Sequence, residues 1–247
     1  MTGEDAPRRY FRQLLAGSDF ARDDPVARQM ANYVYALGDR SSGEAVLVDP
    51  AYDPEELVAL LEEDSMALVG AVVTHYHADH AGGALGPTAI RGVAELLEAR
   101  DVPVYAQASE VAWLARSTGL PERAFRPCEP GEVLRVGALA VTLVHTPGHT
   151  PGSQCLLVGD LLCTGDTLFL SGCGRTDLPG GDPDELYESL TRRLAPLPDG
   201  TRVFPGHAYD AAPSGRLGTL RRENPVLAPL DRHAWRAAFA PKRTGRG

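Results

Sequence analysis

The stretch "VVTHYHADHAGG", residues 72–83, brings His75, His77, Asp79 and His80 into one short segment. Imidazoles so close together repel once charged, and are crowded cheaply only where something shares the positive charge or takes their lone pairs. "ALVGAVVTH", residues 67–75, reads as a short buried strand. Positions 75 and 77 at its end therefore point to one side and can address one ion. Asp79 and His80 fall on the turn that follows, placed for a second ion, and the glycines of "ADHAGG" let the backbone fold tightly there.

Working outward, the same form recurs: a potential ligand just after a β-rich run. "TLVHTPGHTPGS" presents His149, "LLCTGDTLF" presents Asp166 and "RVFPGHAY" presents His207. Loops at strand ends are where a rigid sheet holds catalytic groups. His75, His77 and His149 make an all-nitrogen set; Asp79, His80 and His207 make a second; Asp166, with two oxygens, can bridge them. This donor chemistry calls for two divalent cations, zinc first, with iron or manganese also compatible. Two such ions ~3.5–4 Å apart share a hydroxide, because they lower the pKa of bound water from about 15.7 toward ~7. That hydroxide attacks a carbonyl whose developing oxyanion is stabilised electrostatically. Asp79, ligand and carboxylate at once, is the expected catalytic proton acceptor. The chemistry is that of a hydrolase.

The rest of the chain reads as a layered α/β domain. "NYVYALGD" and "EAVLVDP" form a hairpin across a Gly/Ser turn. "DPEELVALLEED" is a helix with Asp53 as N-cap and Pro54 at its first position. Further helices are expected near 89–100, from Ser109 through Ala115, and over "DPDELYESLTRRLA"; "VPVYA", "EVLRVGALAVTLVHT", "SQCLLVGDLLCTGD" and "TRVFPGH" supply strands. Adjacent hairpins make the sheets mixed. The division expected is a polar N-terminal arm over 1–30 carrying one short helix, a core domain over 31–212, and a short helical extension over 213–247, ending in a basic tail, packed on that domain.

Composition narrows the function. A formal charge of −9 gives no net field for a polyanion, so no nucleic-acid partner is expected. No segment has the length and apolarity of a membrane span, and the N-terminus lacks the apolar run of a signal peptide. The four cysteines show no C-x-x-C spacing, which points to reduced thiols and a cytoplasmic protein. A two-residue turn between Cys155 and Cys163 would pair 155 with 164, so no cross-strand disulfide is implied.

The motifs "THYHADH", "TPGHTPGS", "TGDTLF" and "FPGH" resemble the metallo-β-lactamase superfamily over residues 30 to 225. The resemblance implies a four-layer αβ/βα sandwich, two mixed sheets face to face with helices outside and metals at one edge, and makes the seven residues assigned above the ligands. Zinc β-lactamases commonly have cysteine where Asp166 stands and lack the histidine matching His80. Flavodiiron proteins need glutamate at His77, and RNA-processing members bring further domains.

"SGCGRTDLPGGDPDELYESL" is similar to the glyoxalase II-like group, and its "GCGRTD" to persulfide dioxygenases. The latter bind one iron through residues matching His75, His149 and Asp166, a 2-His-1-carboxylate set. Polyketide-pathway zinc hydrolases acting on acyl thioesters share the general pattern. Arg175 stands where glyoxalase II has a lysine that contacts the thiol cofactor, and can bind a carboxylate or phosphate bidentately. The helical domain with which glyoxalase II grips glutathione has no counterpart in the 40 residues after His207, which argues against glutathione as the handle. Cys173 and Tyr209 are further candidate substrate contacts; His145 is a candidate for orienting a ligand, and His233 reads as solvated. Three functions follow: a dinuclear hydrolase of a small-molecule or carrier-bound thioester; a mononuclear iron persulfide dioxygenase; and a non-catalytic metal-binding protein of the same fold. Family habit suggests a homodimer.

Overall fold

The computed structural model describes residues 9–227 and 231–239; the basic tail expected after residue 239 lies outside them. The first sheet opens with β1 (Arg9–Leu15), β2 (Tyr33–Asp39), β3 (Glu44–Val48) and β4 (Ala67–Val72). A small separate hairpin, β5 (Gly83–Leu85) and β6 (Thr88–Ile90), precedes β7 (Val104–Gln107) and β8 (Phe125–Cys128), which complete the sheet in the order β1-β2-β3-β4-β7-β8. The second sheet holds β9 (Val133–Val136), β10 (Leu139–His145), β11 (Gln154–Val158), β12 (Leu161–Gly165), β13 (Arg202–Pro205) and β14 (Gly215–Arg216), in the order β14-β13-β12-β11-β10-β9. Both sheets are mixed: β3-β4-β7-β8 and β12-β13 run parallel, and the remaining pairs antiparallel.

The helices are α1 (Pro25–Met30), α2 (Pro54–Glu63), α3 (Ala78–Ala81), α4 (Val93–Ala99), α5 (Val111–Thr118), α6 (Pro183–Glu188), α7 (Leu217–Glu223) and α8 (Arg232–Phe239). Period-two alternation sorts the core into layers. Along β2, Tyr33, Tyr35 and Leu37 face the second sheet, while Val34 and Ala36 pack under Leu57 and Leu61 of α2 and Leu114 of α5. Along β12, Leu161 and Cys163 face inward, whereas Leu162 packs outward with Leu186 of α6, Leu217 of α7 and Trp235 of α8. Helices, sheet, sheet, helices: this is the four-layer αβ/βα sandwich.

Several local expectations take physical form. Asp53 caps α2 through a bond from the Glu56 amide, 2.9 Å long, with Pro54 at the first position. The β11–β12 turn pairs Leu156 with Cys163, which offsets Cys155 from Cys163 and turns them to opposite faces of the sheet. Other details differ. Residues 9–15, read as part of a polar arm, form β1, paired along its whole length with β2 from Arg9↔Asp39 to Leu15↔Tyr33. Only Tyr10 and Leu14 of that strand are fully buried, so its apolar signal is thin and sheet pairing outweighs it. The helix expected from residue 89 begins at Val93, because 83–90 is spent on the β5–β6 hairpin. The "DPDELYESLTRRLA" helix is α-helical only to Glu188, and Ser189–Leu194 widens into a π-helical turn. There the Ser189 hydroxyl donates to the Pro147 carbonyl at 2.7 Å and Arg193 to that of His145 at 3.0 Å.

Topology places the site. Strands β10 and β12 both run antiparallel to β11, and β13 runs parallel to β12, so their C-terminal ends share one rim. A backbone bond of 3.0 Å from Gln154 to the Thr74 carbonyl stitches the end of β4 to that rim.

Candidate metal centre

Each donor is set by the turn that carries it. Thr74, just past β4, gives both its amide and its hydroxyl to the Asp49 carboxylate, each at 2.6 Å, which anchors the chain at His75. His77 is the N-cap of α3, and its carbonyl accepts from the amides of His80 and Ala81, each at 2.9 Å. This single helical turn holds Asp79 and His80 beside each other. Gly148, at φ +133°, lets the turn before His149 approach α6, where a Cβ would stand 2.2 Å from the Leu186 amide nitrogen.

The donors fall into two groups. His75, His77 and His149 place their ligand atoms within 4.8 Å of one another, with His77 Nδ1 3.0 Å from His149 Nε2. In the second group, Asp79 Oδ2 lies 3.6 Å from His80 Nε2 and 3.4 Å from His207 Nε2, and the two imidazole nitrogens are 3.3 Å apart. Asp166 stands between the groups: Oδ1 is 3.4 Å from His80 Nε2, and Oδ2 is 3.4 Å from His207 Nε2 and 3.7 Å from His149 Nε2. All seven residues singled out in the sequence thus converge on one rim.

The ring nitrogens turned away from the centre are fixed by partners. His149 Nδ1 bonds to the Arg175 carbonyl at 2.7 Å, His207 Nδ1 to the Met30 carbonyl at 2.8 Å, and His80 Nδ1 to Asp49 Oδ2 at 2.9 Å. Each bond leaves Nε2 aimed at the centre, the arrangement that orients and strengthens an imidazole ligand. Among the described residues, three buried side-chain atoms make no hydrogen bond: His75 Nε2, His77 Nε2 and Asp166 Oδ1, the last only ion-paired with His80. Leaving such atoms unpaired costs about 1–3 kcal/mol each, a cost that a cation would remove. The donor set therefore fits divalent metal ions.

Charge divides the groups further. Burial pushes the His75, His77 and His149 pKa values down, that of His77 to about 4, so these imidazoles are neutral with lone pairs free. In the second group burial opposes charge, but Asp79 and Asp166 outweigh it and lift His80 to about 10; His207 is raised in the same way, Asp166 acting first. Reciprocally, the two histidines overcome burial and hold the carboxyls of Asp79 and Asp166 below the usual range. Without a cation, protons supply the positive charge of this second group.

Four contributors carried no obvious signal in the sequence. Asp49 holds Thr74 and His80. Asn32 Nδ2 donates to Asp79 Oδ2 at 3.1 Å and lies 3.2 Å and 3.4 Å from the Nε2 atoms of His80 and His207. Tyr52 donates to Asn32 Oδ1 at 2.6 Å. Glu110, fully buried, binds the turns on either side of the first group. Asp49 alone was within reach of pattern reading, since it follows a β-run as Asp166 does. The backbone around the second group is strained: Ala31, Asp49 and Tyr52 all sit at positive φ, at 52°, 55° and 74°. Such residues cost of order 1–3 kcal/mol each and gather where function requires them.

The centre opens into a cavity of about 610 Å³, walled by Tyr76, Leu85, Phe169, Leu178 and Tyr209. Arg175, Cys173 and Tyr209 all reach this cavity. Arg175 is paired with Asp177 through bonds of 2.5 and 2.7 Å. Burial pushes the Cys173 thiol up to about 12. Tyr209, 62% exposed, stacks on His207 with centroids 4.6 Å apart and an 8° interplanar angle. His145 Nε2 bonds to the Pro151 carbonyl at 3.0 Å and joins neither donor group; His233 is exposed on α8.

Among known proteins, the chain is 34% identical to a hydroxyacylglutathione hydrolase of Shewanella halifaxensis, over 85% of this chain and 75% of that one. It is 32% identical to the mitochondrial persulfide dioxygenase ETHE1 of Bos taurus, over 90% and 82%. The crystal structure of ETHE1 from Myxococcus xanthus superposes with a TM-score of 0.74 at 29% identity, covering 96% of this chain and 92% of that one. The metal-binding donor geometry agrees with the family profile that matches residues 28–207: the chain belongs to the metallo-beta-lactamase superfamily.

Proposed function

We propose that this chain is a dinuclear metal-dependent hydrolase that cleaves a thioester. The observation that carries the reading is the completeness of the second donor group. Asp79, His80 and His207 are accompanied by Asp49, the Met30 carbonyl and Asn32, held on strained backbone. Such an investment supports a second cation in the working enzyme. Relatives named hydroxyacylglutathione hydrolase support the thioester assignment.

Two divalent cations bound here would supply Lewis acidity, bringing the pKa of water down toward ~7 and drawing charge from a carbonyl oxygen. The chain's own residues do the rest. His75, His77 and His149 would hold one ion, Asp79, His80 and His207 the other, and Asp166 both. Asp79, on the cavity wall with its Oδ2 held by Asn32, is the carboxylate placed to take the proton of the attacking water and return it to the leaving thiolate. The apolar walls of Tyr76, Leu85 and Leu178 exclude bulk water from the acyl group. Arg175 stands at the same cavity as the group for an anionic thiol carrier, at the expense of its pairing with Asp177.

A second reading, a mononuclear iron persulfide dioxygenase, is favoured by the likeness to ETHE1 and by the reach of Asp166 toward His149. Parallel assays of anaerobically purified protein separate the two. Release of free thiol from acyl thioesters without oxygen uptake supports hydrolysis. Oxygen consumption with a thiol persulfide, and no thioester turnover, would overturn it.

A further inference from the structure

Glu110 is a fully buried carboxylate that belongs to neither donor group, and it has no ion-pair partner among the described residues. Its Oε1 accepts the Tyr76 amide at 2.7 Å and its Oε2 the Gly152 amide at 2.6 Å. Tyr76 lies between His75 and His77, and Gly152 follows His149 on the opposite turn. One carboxylate therefore spans the two loops that carry the three-histidine group, one loop from each sheet. The contact is too close for another residue at 152: a Cβ there would stand 2.4 Å from Glu110 Cβ and 2.6 Å from its Oε2. Neighbouring bonds add to the span. Ser109 Oγ donates to the Pro151 carbonyl at 3.1 Å, and Gln107 donates to Gln154, whose own amide donates to the Val73 carbonyl, both at 2.8 Å.

Charge gives this carboxylate a second task. The second donor group has Asp79 within it, Asp166 against it and Asp49 behind it, while the first is made of three imidazoles and no carboxylate. Burying a carboxylate without a cation is costly, and burial pushes Glu110 up to about 7 even though two amides and the Thr150 hydroxyl favour its anion. The histidines of the adjoining loops would hold a dication, which would supply that positive charge.

We propose that Glu110 is a positioning residue for the three-histidine group, fixing the separation of the 75–77 and 149–152 loops and balancing the charge of the ion held there. The proposal does not depend on the reaction: where only one cation binds, as in the iron reading, Glu110→Gln weakens that single step. Stepwise titration of chelator-treated protein with Co(II), read by visible absorption and calorimetry, tests it. His75→Ala identifies the step that belongs to the three-histidine group. In Glu110→Gln, which keeps shape but offers one acceptor oxygen and no charge, that step weakens about ten- to a hundredfold while the other step holds within threefold. Glu110→Asp keeps the charge but is one methylene too short to reach both amides, and gives an intermediate loss. Both steps unchanged in Glu110→Gln, or both weakened equally in Glu110→Asp as general loosening would do, overturns the proposal.

Discussion

The Asp49 carboxylate accepts the Nδ1–H of His80 at 2.9 Å, and through that bond decides which imidazole nitrogen faces the other donors. The same carboxylate takes the amide and hydroxyl of Thr74. In Asp49→Asn one oxygen becomes a donor and faces another donor. The second cation should then bind about 10–100-fold more weakly, and the three-histidine group, tied to Asp49 only through Thr74 at 3.0 Å from His75 Nδ1, should weaken by less. Competition against a chelator of known affinity measures both steps, and equal weakening of the two would contradict this role.

Metal-free protein should respond to pH through the second group. The folded pKa of His80, about 10, exceeds its ordinary value, so its stabilisation is complete below about 6.5 and lost as pH rises toward 10. Asp79 and Asp166 are depressed, so their contribution is present above the ordinary carboxylate range and lost in acid. Thermal midpoints of chelator-treated protein should therefore fall steadily between pH 7 and 10. With excess cation the trend reverses, because the ion must displace protons and its affinity rises over the same interval. Parallel curves with and without cation would refute the proton-for-cation exchange.

Arg175 should act on substrate rather than on fold. Its side chain is 62% exposed and its partner Asp177 is 42% exposed, so the pair adds little stability. Arg175→Ala should raise KM about tenfold for thioesters of an anionic thiol carrier and leave those of a neutral carrier unchanged, with kcat preserved in both. Steady-state kinetics on matched substrates check this split.

Cys173 lies at the cavity but is not activated. Burial holds its thiol near 12, so it is protonated at neutral pH and a poor nucleophile. Cys173→Ser should keep turnover within about twofold, and iodoacetamide should modify the native chain slowly at pH 7.5. Rapid alkylation with loss of activity would show the thiol to be part of the chemistry.

The donors were legible in the sequence because each obeys a local rule: a histidine or aspartate just past a β-run, with glycine or proline to turn the chain. His75, His149, Asp166 and His207 share that form, and sheet topology then brings them to one rim. The residues that orient them, Asp49 apart, obey no local rule. Asn32 reaches Asp79 across 47 positions, and Glu110 reaches Tyr76 and Gly152 across 34 and 42. Such partnerships arise only from how the sheets pack. Strand β1 was obscured for a related reason: its polar residues are tolerated at a sheet edge, where pairing with β2 rather than a buried face defines it.

The central claim is that two cations occupy these donors together, bridged by Asp166. Anomalous scattering from crystals of anaerobically purified protein, recorded on both sides of the zinc and iron absorption edges, tests it most directly. The account predicts two peaks, one among His75, His77 and His149 and one among Asp79, His80 and His207, with Asp166 in contact with both. A single iron peak held by His75, His149 and Asp166, with the second group empty, would contradict it.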